Sequence, residues 1–327
     1  MNLALLAAAA TGVQVGAATV ASRFLVGEIA PLTLALLRYA IGAACLVPVT
    51  LWLARRHAGP GRPSTGHSPV RGSAVRDWAV MALLGIGQFG LLIAALNYGL
   101  KTVDAACAAM IFSLFPLMTL LLSAALGRER LTVRLLGGVV LAIAGVVVAL
   151  APKMAAGHAG SSAILHAAHY GIRPWGGPAG SWLGEIAVLV SAAIGAVCSV
   201  LYRPYLQRYP VLQVSSFAMV ASVLFLAVAA LSESWPMRVA AISPSAWGVV
   251  LFIGVSSAVG YWWWLYALRH ESATRVTVFL ALNPLTAAAL GHWLLHEPLD
   301  RWIGIAVGLI AAGLWLATRP PPATGAE

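Results

Sequence analysis

Stretches of nearly uninterrupted apolar residues alternate with short polar segments along the whole chain. They run approximately over residues 3–22, 32–53, 78–99, 103–126, 132–150, 182–202, 212–231, 246–268, 273–295 and 300–318. At a rise of about 1.5 Å per residue, about 20 residues carry a helix across roughly 30 Å of hydrocarbon. The pattern predicts an all-α membrane protein of about ten transmembrane helices. Hydrocarbon obliges each segment to satisfy its own backbone hydrogen bonds, and the alternation expected of barrel strands is absent. Lys101-Thr102-Val103-Asp104 and Arg269-His270-Glu271-Ser272 read as very tight turns. Two connectors are longer: 54–77, with Arg55, Arg56, Arg62, Arg71 and Arg76, and 151–181, rich in Gly, Ala and His.

Composition agrees with a lipid solvent. Of the 327 residues, 61% are hydrophobic and 9% charged, against about 25% charge in soluble domains. The opening run lacks a basic leader region. It carries Ala8, Gly12 and Gly16 at the four-residue spacing of a closely packed helix, so it is expected to be the first span. The formal charge of +10 would suggest nucleic acid in a soluble protein, but here the basic residues fall between apolar segments. With the N-terminus inside, thirteen Lys and Arg lie on the cytoplasmic side and six on the other. That bias predicts cytoplasmic N- and C-termini in a bacterial-type cytoplasmic (inner) membrane, with the lipid bilayer and no nucleic acid as partner. Cys45, Cys107 and Cys198 lie in separate apolar segments and read as small buried residues.

A shift of 168 residues aligns the ends of the two halves without a gap. Tyr98 falls on Tyr266, Lys101 on Arg269, Leu114-Phe115-Pro116-Leu117 on Leu282-Asn283-Pro284-Leu285, and Glu129 on Glu297. Matches in Pro, Glu and Tyr at one fixed offset are hard to obtain by apolar bias alone. Five spans per half is an odd number, so the second half enters the membrane from the opposite side. The expected organisation is a first five-helix repeat over 1–150, a connecting loop over 151–181, a second repeat over 182–319 and a tail over 320–327. Two inverted five-helix repeats are an architecture of secondary transporters.

Leu96-Asn97-Tyr98-Gly99-Leu100, Phe115-Pro116-Leu117 and Leu126-Gly127-Arg128-Glu129-Arg130-Leu131-Thr132 resemble the repeat signature of EamA-type transporters in the drug/metabolite transporter superfamily. Tyr266-Ala267-Leu268, Asn283-Pro284-Leu285 and His296-Glu297-Pro298-Leu299 resemble it again, as do Arg38 in span two and Gly184-Glu185 at the start of span six. The resemblance implies ten helices, a central cavity lined by spans one, three, four, six, eight and nine, and export of a metabolite or drug-like compound by alternating access.

Polar residues inside apolar segments are costly unless paired, so they mark either helix contacts or a cavity. The candidates for a substrate cavity are Gln14, Arg38, Gln88, Asn97, Tyr98, Tyr261, Tyr266, Asn283 and His292. Gln88 and Asn97 lie nine residues apart, about 180° around an ideal helix, so at least one faces elsewhere. Tyr261-Trp262-Trp263-Trp264 sprays around its helix, leaving one or two rings able to stack an aromatic or cationic substrate. Pro116 and Pro284, at matched mid-span positions, read as helix hinges or breaks. Glu129 and Glu297 read as helix-end electrostatics beside the expected N-caps Thr132 and Asp300. Small residues at Gly137, Gly138, Ala142 and Gly145, and at Gly304, Gly308 and Ala312, could join spans five and ten or form a homodimer.

No Walker, Rossmann or EF-hand pattern is present, His158, His166 and His169 match no zinc spacing, and no cofactor or metal is expected. None of the ten acids lies mid-span, which points to facilitated or exchange transport rather than tight proton coupling. The competing readings are a membrane scaffold or channel, and an intramembrane serine hydrolase using Ser256 or Ser257 with His292.

Overall fold

The computed structural model describes residues 2–57, 71–103, 105–128, 132–158, 182–295 and 301–318. Among the described residues all regular structure is helical, in ten rods. These are α1 (Leu3–Leu25), α2 (Pro31–His57), α3 (71–99), α4 (105–125) and α5 (Val133–His158), then α6 (Leu183–Arg208), α7 (Val211–Ala229), α8 (Pro244–His270), α9 (273–295) and α10 (Arg301–Thr318). Eight of the rods are long and apolar enough to cross a membrane. The other two, α5 and α10, hold shorter apolar stretches, Leu136–Gly145 and Gly304–Gly313. Of the ten spans expected, eight are therefore helices of full membrane length.

Helix ends follow local chemistry. The Asn2, Ser243 and Ser272 side chains accept backbone N–H bonds from Ala4, Ala246 and Arg275, capping α1, α8 and α9. Helices α2 and α3 continue into the expected 54–77 connector, leaving 58–70 outside the described residues. There Arg56 lies 3.7 Å over the Trp52 ring, one turn back. Helix α5 likewise reaches His158. Glu129, Glu297, Asp300, His166 and His169 lie outside the described residues.

Three rods are irregular along their length. Helix α3 consists of Arg71–Gly85, a π-helical turn Ile86–Leu91, and Leu92–Gly99. Helix α4 breaks between Ala105–Phe112 and Phe115–Ala125, and α9 passes through a 3-10 turn, Phe279–Ala281, between Ala273–Val278 and Leu282–Leu295. Pro116 and Pro284 fall in the first turn of each second piece. The first four N–H groups of a helix have no intrahelical partner, so a proline there removes no bond. Both prolines start a helix after a break rather than bend a continuous one.

The rods pack as two interlocked sets of five. The pair α1–α8 has its counterpart in α6–α3, α2–α8 in α7–α3, and α1–α9 in α6–α4. The pairs α2–α7, α4–α9 and α5–α10 are their own counterparts. Exchanging each helix n with n+5 leaves this contact set unchanged, as an inverted repeat requires. Lipid gives no hydrophobic drive between helices, so close backbone approach at small residues carries much of the packing. At Gly16 a Cβ would stand 2.6 Å from Thr286 Cβ and 2.8 Å from the Asn283 carbonyl oxygen on α9. Gly145 fits α5 against α10, where a Cβ would meet the Ala306 carbonyl oxygen at 2.8 Å. Gly304 and Gly308 on α10 have no atom within 4 Å of that position and do not serve the α5–α10 contact.

Polar bonds close both ends of the bundle. At one end the Glu233 carboxylate accepts from Leu32 N at 3.0 Å, Thr33 N at 2.8 Å and Thr33 Oγ1 at 2.8 Å, capping α2. Beside it, Glu28 after α1 accepts from Ser243 N at 2.6 Å and Ser243 Oγ at 3.1 Å, capping α8. At the opposite end, Asp77 near the start of α3 accepts from Tyr209 Oη at 3.1 Å and Arg208 Nη1 at 3.4 Å, at the end of α6. The α1-to-α8 and α6-to-α3 bridges are counterparts under the exchange of repeats.

Candidate substrate cavity

A cavity of about 80 Å³ lies where the irregular segments meet. Helix α1 presents Thr11, Gln14, Val15 and Thr19 at helical spacing, and α2 presents Arg38 and Tyr39. The π turn of α3 brings Gln88 and Phe89 onto the same wall as Leu92, Ile93 and Leu96. A π turn changes the angular register of the residues after it and is common at functional positions. Helix α4 adds Phe112 and Phe115 on either side of its break, α9 adds Leu280 from its 3-10 turn, and α8 adds Ser257, Gly260, Tyr261 and Trp264. Helix α6 stands one layer behind: a Cβ at its Gly195 would meet Leu92 Cδ1 at 2.8 Å and Phe115 Cζ at 2.9 Å. Span six, expected in the wall, is thus screened from the cavity, and span two takes a place in it.

Arg38 is the sole charged residue among those lining the cavity, and it is 6% exposed. Its Nε donates to Ser257 Oγ at 2.6 Å, and Ser257 Oγ donates in turn to the Ile253 carbonyl oxygen at 2.5 Å. The guanidinium carbon lies 5.4 Å from the Tyr39 ring centroid. Neither Nη group has a hydrogen-bond or ion-pair partner among the described residues. Gln14 Nε2 donates to Ser256 Oγ at 3.3 Å, and Gln88 Oε1 is a buried acceptor with no partner among the described residues. Aromatic rings form the rest of the wall. Phe89 contacts Tyr39 and Tyr261 at centroid separations of 4.7 and 4.0 Å, and Phe115 lies over Trp264 at 6.1 Å.

The other candidates sit elsewhere. Asn97 is fully buried and donates to the Pro31 carbonyl oxygen at 3.1 Å, tying α3 to the start of α2. Tyr98 is 49% exposed. Tyr266 lies against His270 and Trp262, in an outer groove shared with Leu3, Leu6, Ala7, Ala10 and Trp263. Asn283 is buried with its Oδ1 unpartnered, and its backbone faces Gly16. His292 is exposed on α9 and outside the cavity lining. Among the four consecutive aromatics, Tyr261 and Trp264 face inward, while Trp262 and Trp263 line the outer groove. Thr11, Tyr39, Phe89 and Ser257 line the cavity without standing out in the sequence as substrate contacts. A signal was present for part of them: Ser257, Gly260, Tyr261 and Trp264 follow i, i+3, i+4, i+7 spacing, one face of one helix.

A model of the EamA-like transporter family matches residues 2–151 and 182–319. The chain belongs to the EamA-like transporter family. The exchange-symmetric packing is what the inverted-repeat fold of EamA proteins requires. Over 309 residues the chain is 28% identical to a protein of Archaeoglobus fulgidus named "Uncharacterized transporter", covering 93% of this chain and 94% of that protein. Over 259 residues it is 27% identical to a protein of Streptantibioticus cattleyicolor named "Probable terminal-alkyne amino-acid exporter", covering 79% of this chain and 72% of that protein. It also shares its fold with a solved crystal structure at TM-score 0.68 and 22% identity, over 98% of this chain and 99% of the other. Family membership makes this a multi-pass membrane transporter, and a transporter is not an enzyme. Ser256 and Ser257 both donate to the Ile253 carbonyl oxygen and accept from Gln14 and Arg38, groups that supply no general base.

Proposed function

We propose that this EamA-family chain exports a small metabolite or drug-like compound by alternating access through the cavity around Arg38. The observation that carries the reading is a central cavity with polar bonds across both ends, in which the α1-to-α8 bridge at one end is the repeat-counterpart of the α6-to-α3 bridge at the other. A carrier with two equivalent gates opens one while the other is shut. The interruptions at Ser113-Leu114 and Phe279–Ala281, just ahead of Pro116 and Pro284, supply the places where α4 and α9 flex. Gln14, Arg38, Gln88 and Tyr261 contact the substrate; Asn97, Tyr98, Tyr266, Asn283 and His292 support the helices around it. Export rather than import follows the name of the Streptantibioticus relative. The excess of Lys and Arg on one side supports cytoplasmic termini, in a bacterial-type inner membrane.

The test uses Gln14→Cys in a full-length chain whose native cysteines are replaced by alanine. A membrane-impermeant maleimide is applied from either side of oriented vesicles. A Glu28→Cys/Ser243→Cys pair, joined by a short bis-maleimide before Gln14→Cys is probed, locks one end. Alternating access predicts that locking this end raises labelling of residue 14 from the other side. An unchanged rate from the other side favours a channel, whose two entrances act independently.

A further inference from the structure

The cavity wall says more about its cargo than its position does. We propose that the substrate is a compact monocarboxylate whose carboxylate docks on the Arg38 guanidinium; this rests on the carrier reading of the same cavity. Arg38 is almost wholly buried, yet among the described residues its only hydrogen bond uses Nε, which leaves both Nη groups at the cavity without a partner there. A guanidinium held off water without a counter-charge is costly, and its planar fork matches a carboxylate in bidentate geometry. Ser257 holds Nε from behind and so fixes the direction in which the fork points. Among the described residues no acidic side chain lines the cavity, which leaves the neutralising charge to the ligand.

The balance of charge and space narrows the class. No second cation lines the cavity, so a phosphate dianion or a dicarboxylate would bring a charge that the wall does not answer. The same wall carries the rings of Phe89, Phe115, Tyr261 and Trp264, which suit an apolar body. Gln88 Oε1, buried without a donor among the described residues, asks for one N–H or O–H on that body: a hydroxyl, or an α-ammonium whose charge the faces of the aromatic rings can answer. A volume of about 80 Å³ holds roughly five to eight water-sized groups at ~10–15 Å³ each, which suits a branched short-chain acid or a small amino acid.

Thermal unfolding of the purified full-length chain in detergent tests this with matched ligands: isovalerate against isovaleramide, and L-valine against L-valinamide. Each acid and its amide have nearly the same shape and differ in the group offered to Arg38. The acids should stabilise in a saturable way, with the amides about ten- to a hundredfold weaker, the range of a hydrogen bond to a charged partner. A preference for L-valine over isovalerate would identify the donor facing Gln88 as an ammonium, and equal effects would identify a plain carboxylate. Arg38→Gln should remove the acid-over-amide preference, and Arg38→Lys, which keeps the charge without the fork, should retain part of it. Arg38→Lys also carries the test if Arg38→Gln is not monodisperse. Equal stabilisation by acid and amide, no response to either acid, or an undiminished preference in Arg38→Gln overturns the proposal. Counterflow in liposomes separates it from the carrier reading. Flux of neutral solutes that survives Arg38→Gln would remove the carboxylate class and keep the carrier. Carboxylate binding without flux of any ligand would keep the site and remove the carrier.

Discussion

Replacing Glu233 by alanine strips the cap from the start of α2. The carboxylate there accepts from two backbone N–H groups, Leu32 and Thr33, at 3.0 and 2.8 Å, and from the Thr33 hydroxyl at 2.8 Å. Loss of an N-cap acceptor costs about 1 kcal/mol, and loss of an anion from a helix N-terminus a further ~0.3–1 kcal/mol. The site is only part-buried, so the lower half of the combined range applies, about 1.5 kcal/mol. At about 1.4 kcal/mol per decade, this corresponds to roughly a tenfold rise in opening at that end. Because Glu233 follows α7 and α2 begins the facing helix, the opening separates the two repeats rather than fraying one helix. Hydrogen exchange of the Leu32 and Thr33 amides reads it directly, with about tenfold faster exchange expected in the variant. Glu233→Gln, which keeps an acceptor oxygen and loses the charge, should fall between. Unchanged exchange at both amides in Glu233→Ala would refute the assignment of this carboxylate as a closing contact.

Three other outcomes follow from the packing. Gly16→Ala pushes a methyl into Thr286 and the Asn283 carbonyl oxygen and should destabilise by about 1–3 kcal/mol, whereas Gly308→Ala enters open space and should leave the melting temperature within experimental scatter. At the opposite end of the bundle, desolvation first and the adjacent Asp77 carboxylate second raise the Tyr209 hydroxyl above its usual value. Its bond to Asp77 is therefore complete below the unfolded tyrosine value of about 10 and is lost as pH rises through the raised one, so accessibility at that end should stay flat through neutral pH and climb only in strong alkali. Trp264→Ala should weaken ligand-induced stabilisation and Trp262→Ala should not, because Trp264 lines the cavity and Trp262 the outer groove; equal losses in a thermal-shift titration would contradict that division.

Much of the fold was legible because it rests on local and compositional quantities. Segment length against bilayer thickness determines that each rod is a helix, and the constant offset of 168 residues exposes the duplication without any contact being known. The helix caps at Asn2, Ser243 and Ser272 are likewise local. The site was legible only in part. Gln14, Arg38, Gln88 and Tyr261 come together at the cavity, while Asn97 and Asn283, equally polar and equally buried, are turned to helix contacts or left facing protein.

The reason lies in the solvent. In a soluble protein one apolar face marks the interior, but a membrane helix is apolar toward lipid and toward protein alike. Leu224 is 65% exposed and Met219, on the same helix, fully buried, although both side chains are large and apolar. Sequence alone therefore determined the bilayer solvent, the all-helical architecture and the paired halves. The tertiary structure decided which face of each helix turns inward, through the close approach at Gly16, the π turn that aims Gln88 and Phe89, and the breaks in α4 and α9. It alone could bring Ser257 onto Arg38, 219 residues away, and leave the fork of that arginine open to the cavity.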